Sequence, residues 1–132
     1  MGIKQNIPTI LLVDDEDEVL DMYTAKLQEA DYETLIAHDG YEAIDVAKED
    51  QPDLILLDAM MPSLSGMETL SKLKENAATA DIPVAFLSSL PETADEVATA
   101  KTAGAVDFIS KDIELDAFIE RIEKIIGATN PA

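Results

Sequence analysis

The sequence predicts a doubly wound α/β fold, a five-stranded parallel sheet with five helices on its two faces. Two observations carry this. Short, continuous apolar runs alternate along the chain with longer segments of helical periodicity. Those runs lack the in–out alternation of a half-exposed sheet, as expected of strands buried on both faces. Strand–helix units in such an order fold as a parallel sheet covered on both sides, and right-handed crossovers leave few arrangements.

Each element follows in order. Thr9 to Val13 (TILLV), after Pro8, is the first strand. Asp17 to Ala30 is the first helix, with Val19, Leu20, Tyr23 and Leu27 at helical spacing. Glu33 to Ala37 is a second strand, and Gly40 to Glu49 a second helix with Ala43, Ile44 and Ala47 on one stripe. Asp53 to Leu57 (DLILL) is the most uniformly apolar run and belongs at the sheet centre. Met67 to Glu75 reads as the third helix and Pro83 to Leu87 (PVAFL) as the fourth strand, after a polar loop from Asn76 to Asp81. Pro91 is placed to open a fourth helix, where its missing N–H costs nothing, and Gly104 to end it. Val106 to Ile109 is the fifth strand, and Leu115 to Ile126 a strongly amphipathic closing helix.

Composition narrows the function. The 132 residues, 47% of them hydrophobic, suit one domain over 1–132 with its core at about 8–127. No cysteine is present, so thiol chemistry is excluded. There is neither a membrane-length apolar run nor a signal-peptide layout, and Asn6 breaks a myristoylation motif. A cytoplasmic, monomeric protein is the expectation. Nine basic residues against 28 acidic ones give a net charge of −19, which repels nucleic acid and anionic membranes.

The chemistry lies where the strands end. Asp14 and Asp15 follow the first strand, Asp58 the third, Ser88 and Ser89 the fourth, and Lys111 the fifth. In an open parallel sheet these ends line the ligand crevice, so the groups should converge. Three carboxylates about 5 Å apart would repel by roughly 3 kcal/mol per pair at an effective dielectric near 20. They call for a hard cation such as Mg²⁺, which keeps waters and phosphate oxygens beside a few carboxylates. A lysine and a hydroxyl facing it would hold a phosphoryl group. Taken singly, Asp14 or Asp15 reads as well as a helix N-cap, Ser88 as a turn residue and Lys111 as a loop charge. Together, at successive strand ends, they do not.

With these residues in place, the chain resembles the receiver domain of bacterial two-component response regulators, similar to the stand-alone chemotaxis type. The matching stretches are ILLVDD (10–15), DLILLDAMMP (53–62), Gly66, IPVAFLSS (82–89), GAVDFISK (104–111) and ELDAF (114–118). The resemblance implies a flavodoxin-like fold and a phosphorylation-dependent switch that modifies only itself. Asp58 would accept a phosphoryl group from a sensor histidine kinase or phosphotransfer protein. Asp15, Asp58 and the Met60 carbonyl would bind Mg²⁺ directly, and Asp14 through water. Lys111 would pair with the phosphoryl group, Ser88 would move to hydrogen-bond it, and Phe108 would change rotamer in response. The readout would be another protein, whose identity the sequence does not give.

Three departures from the family pattern stand out. Asp112 follows Lys111 where the family usually has proline, so a cis peptide there would cost about 2.5–4 kcal/mol. Ser89 replaces the common alanine, and Met60 and Leu90 are apolar where the family helps orient hydrolytic water. Other classes fit less well. A degenerate receiver acting as an adaptor would not need the complete acidic set. A metal-dependent aspartyl phosphatase wants a second Asp where Met60 stands. A nucleotide site wants a Gly-rich loop, and the five glycines form none.

Overall fold

The computed structural model describes residues 7–89 and 93–129. Ten elements alternate along them: β1 (Thr9–Val13), α1 (Asp17–Glu29), β2 (Glu33–Ala37), α2 (Gly40–Asp50), β3 (Leu54–Asp58), α3 (Gly66–Glu75), β4 (Val84–Ser88), α4 (Ala94–Thr102), β5 (Asp107–Ser110) and α5 (Leu115–Thr129). The strands form one parallel sheet in the order β2-β1-β3-β4-β5, with β3 at its centre as its unbroken apolar run predicts.

Strand parity divides the core. Leu11, Val13, Ile55, Leu57, Val84, Phe86 and Phe108 pack toward Ala43 and Ala47 of α2, Leu70 and Leu73 of α3 and Ala100 of α4. Ile10, Leu12, Leu54, Leu56, Ala85, Leu87 and Ile109 pack toward Leu20, Tyr23 and Leu27 of α1 and Phe118, Ile122 and Ile125 of α5. Each fully buried aliphatic side chain in these layers contributes about 1.5–3 kcal/mol relative to exposure.

Helix starts are set by local chemistry. Asp39 caps α2 through the Glu42 amide, and Ser65 and Glu68 form a reciprocal capping box on α3. Thr93 caps α4 through the Glu96 amide, and the described helix begins at Ala94; Pro91, expected to open it, lies outside the described residues. Gly104 follows the helix with φ +110, a conformation that favours glycine. The last helix runs three residues past its expected end at Ile126, to Thr129.

Strands β3, β4 and β5 each sit one residue later than their apolar runs suggest. The reason is that ladder hydrogen bonds are made by the backbone, whatever the side chain. Asp58 pairs with Leu87 and Ser88 with Ser110, so polar residues close the strands.

At the sheet edge, Arg121 of α5 grips Asp107 of β5 with two hydrogen bonds, of 2.9 Å from Nε and 2.7 Å from Nη2. Burial alone would raise the Asp107 pKa, but these bonds and one from the Phe108 amide hold it below the ordinary carboxylate value. Stability contributed by a depressed carboxylate is present above its unfolded pKa and is lost as pH falls through the folded one. Asp107→Asn should therefore cost about 2 kcal/mol at neutral pH, and the gap to wild type should close in acid. Urea denaturation at about pH 7 and pH 3 checks this, and an unchanged gap would contradict it.

Candidate functional site

The ends of β1, β3 and β5 bring Asp14, Asp58 and Lys111 together. Asp14 and Asp58 are buried, at 3% and 5% exposure, while Asp15 points to solvent. A ligand oxygen from each of the three carboxylates lies within 4.8 Å of the others. The Lys111 ammonium sits between the two buried ones, 2.7 Å from Asp14 Oδ2 and 3.5 Å from Asp58 Oδ2. The repulsion expected between the two buried carboxylates is thus partly offset by a cation from the chain itself.

Neither Asp14 nor Asp15 is the N-cap of α1. That place belongs to Glu16, whose side chain makes no cap bond, while its amide donates to Asp14 Oδ1 at 2.9 Å. The bond aims Asp14 at the crevice and leaves its other oxygen for Lys111. Asp58 is oriented in the same way by the Met60 amide, which donates to Oδ1 at 3.1 Å and leaves Oδ2 facing Lys111.

The charges respond to this geometry. Burial raises the Asp58 pKa above the ordinary carboxylate value, although the Met60 amide and Lys111 pull the other way. Burial alone would lower Lys111, but its hydrogen bond to Asp14 and the two carboxylate charges raise it. An ion pair should move its two partners in opposite directions, yet both rise here. Burial of the Asp58 carboxyl outweighs the pull of Lys111, whose ammonium lies closer to Asp14.

The backbone is tightly fitted beneath the site. A Cβ on Gly66 would lie 2.6 Å from the Asp58 carbonyl oxygen and 2.7 Å from the Ala59 Cα, so only glycine lets α3 start this close to β3. The α3 N-terminus is further joined to the loop by a bond from the Gly66 amide to the Ala59 carbonyl.

The remaining residues singled out in the sequence fall around this centre. Ser88 closes β4, fully buried, and its carbonyl accepts from the Lys111 amide at 2.7 Å. Phe108 is turned into the core on the α2–α3–α4 face, its ring edge-on to Phe86 at 6.3 Å. Met60 is largely exposed beside Asp58, and Leu90 lies outside the described residues. No cis peptide occurs among the described residues, so Lys111 and Asp112 are joined in trans.

One residue was not legible as part of the site. Tyr23 of α1, expected only as core, directs its hydroxyl to the Lys111 carbonyl at 3.4 Å. The available signal was general: a buried tyrosine needs a partner for its hydroxyl.

The donor set suits Mg²⁺. All three side chains offer hard carboxylate oxygens, two held rigidly and one at the solvent boundary, which leaves room for the waters this ion retains. The Met60 backbone is fixed next to the same carboxylate by its amide.

Comparison with known proteins gives a consistent picture. A model of the response regulator receiver domain family matches residues 10–123. The phosphate regulon transcriptional regulatory protein PhoB of Pseudomonas aeruginosa is 36% identical over 93% of this chain, and the DNA-binding dual master transcriptional regulator RpaA of Synechocystis is 32% identical over 94%. The chain spans about half the length of these two relatives, 53% and 51% respectively. By contrast it matches 96% of the polar-differentiation response regulator DivK of Brucella anthropi, at 32% identity over 90% of its own length. Among solved structures, the receiver domain of the Francisella response regulator 1452 superposes with a TM-score of 0.84 at 28% identity, over 93% of this chain and 99% of that one. The Vibrio cholerae chemotaxis protein CheY4 has the same fold, with a TM-score of 0.84 at 24% identity, over 91% and 99%.

Proposed function

The chain belongs to the response regulator receiver domain family, and from that premise we propose that it is a phosphorylation-dependent switch with Asp58 as its phosphoacceptor. The observation that carries this is the Lys111 ammonium held between Asp14 and Asp58, with Asp58 the less tightly paired. An Asp58 oxygen attacks the phosphorus of a phosphohistidine on a sensor kinase or phosphotransfer protein. The P–N bond breaks, its electron pair stays on the ring nitrogen, and the histidine leaves as neutral imidazole carrying the proton already on its other ring nitrogen. Lys111, still an ammonium, then shifts its ion pairing to the arriving phosphoryl oxygens, the role its reach to both carboxylates allows.

Asp15, Asp58 and the Met60 carbonyl are proposed to hold Mg²⁺, with Asp14 acting through water. Bound there, the ion would neutralise charge on the phosphoryl oxygens. Ser88 donates its hydroxyl to the phosphoryl group, and Phe108 changes rotamer as that end of β4 shifts. The only chemistry is on the protein itself, and the output is altered binding of another protein. The charge of −19 disfavours direct contact between this domain and DNA. Among the described residues no helix is long and apolar enough to cross a membrane, and a cytoplasmic monomer is the proposed setting.

The test is incubation with acetyl phosphate, with Mg²⁺ or with EDTA, followed by intact-mass measurement. A gain of about 80 Da, one phosphoryl group, is expected only with Mg²⁺. No gain in either condition would overturn the reading and leave a phosphorylation-independent adaptor.

A further inference from the structure

Lys111 reaches the phosphoacceptor from a loop whose next residue is Asp112, joined in trans. Something other than ring constraint must fix the main chain there. Local turn bonds hold the loop, from the Asp112 amide to Ser110 Oγ and from the Ile113 amide to the Ser110 carbonyl, and two long-range bonds hold Lys111 itself from opposite sides. The Lys111 amide donates to the Ser88 carbonyl at 2.7 Å. The Lys111 carbonyl accepts from the Tyr23 hydroxyl at 3.4 Å, across 88 positions of sequence. The first bond continues the sheet; the second comes from the helix that follows Asp14.

Tyr23 is well placed to act as a fixed anchor. It is only 1% exposed, on the face of α1 that packs on the sheet. Its ring lies against Phe118 of α5, with centroids 4.8 Å apart, so neither ring can swing without disturbing the other. The helix that carries it begins beside Asp14, where the Glu16 amide holds one oxygen and Lys111 Nζ the other. Lysine side chains have many rotamers, and an ammonium is aimed only as well as its backbone is held.

We infer that Tyr23 is a positioning residue for Lys111, its hydroxyl fixing the lysine main chain so that the ammonium stays between Asp14 and Asp58. This rests on the reading of Asp58 as phosphoacceptor and Lys111 as its partner. It also assigns a use for a core tyrosine where phenylalanine would pack equally well.

The experiment follows the rate of Asp58 phosphorylation by acetyl phosphate at saturating Mg²⁺ in five proteins: wild type, Tyr23→Phe, Lys111→Ala, the double variant and Phe118→Leu. Tyr23→Phe keeps the ring and should react about fivefold more slowly, a loss typical of imperfect placement, with an unchanged midpoint for Mg²⁺ binding. The double variant should be no slower than Lys111→Ala alone, because an anchor has nothing to position once the ammonium is gone. Phe118→Leu disturbs the ring contact but keeps the hydroxyl. It should lower the melting temperature yet react within about twofold of wild type.

A wild-type rate in Tyr23→Phe, losses that multiply in the double variant, or an equal slowing in Phe118→Leu would each overturn the assignment. If wild type gains no phosphoryl group, or Lys111→Ala reacts like wild type, the failure lies with the underlying reading, and Tyr23 falls with it.

Discussion

Lys111→Ala is expected to lower the melting temperature of the metal-free protein by about 10 °C and to leave a form that Mg²⁺ rescues more strongly than it stabilises wild type. The Lys111, Asp14 and Asp58 side chains are 16%, 4% and 6% exposed, so removing the ammonium leaves two like charges buried side by side. Breaking a buried pair from one side costs about 3–5 kcal/mol. The lower end applies here, about 3 kcal/mol, because the crevice opens to water at Asp15 and a carboxylate can take a proton instead. Asp58 is already raised by burial, and losing Lys111 raises it further. A carboxylate with a raised folded pKa binds more protons folded than unfolded, so its cost appears as pH climbs through that interval. The variant should therefore lie closer to wild type in mild acid than at neutral pH. A melting temperature within about 2 °C of wild type at both values would show that the ammonium does not compensate these charges.

Mg²⁺ itself should raise the melting temperature of wild type. An ion that binds only the folded state stabilises it by about 2.7 kcal/mol at a hundredfold excess over Kd. Asp15→Ala should abolish that response, since it removes the solvent-facing arm of the acidic trio. Asp15 is exposed and lies outside the Lys111 ion pairs, so its loss should change metal-free stability little, by about 0.5 kcal/mol at most. Thermal melts at matched ionic strength separate specific binding from general screening of the net charge of −19. A shift that survives in Asp15→Ala would place the ion elsewhere.

Much of this arrangement was legible because it is local or periodic. Most strands showed as apolar runs, and β3, the most uniformly apolar of them, does lie at the sheet centre. The strand ends were harder. Asp58, Ser88 and Ser110 are polar yet ladder-bonded, and side-chain pattern cannot report backbone pairing. Thr93 with Glu96 three residues on carries the capping signal for the start of α4 at Ala94. The convergence of Asp14, Asp58 and Lys111 followed from the rule that parallel strands present their carboxyl ends together. Which carboxylate the lysine prefers did not, because it depends on how the Glu16 and Met60 amides orient each group. The bond from Tyr23 to Lys111 joins residues with no shared local pattern, and the Asp107–Arg121 clamp is likewise visible only once β5 and α5 lie side by side.

The central claim is that Asp58 is the phosphoacceptor, and the most direct measurement is the intact mass of wild type and Asp58→Asn after acetyl phosphate and Mg²⁺. The substitution replaces a buried carboxylate, whose charge burial disfavours, by a neutral group of the same shape, so the fold should persist. Wild type should gain about 80 Da and Asp58→Asn nothing. A wild-type-like gain in Asp58→Asn would move the phosphoryl group to another residue and contradict the account.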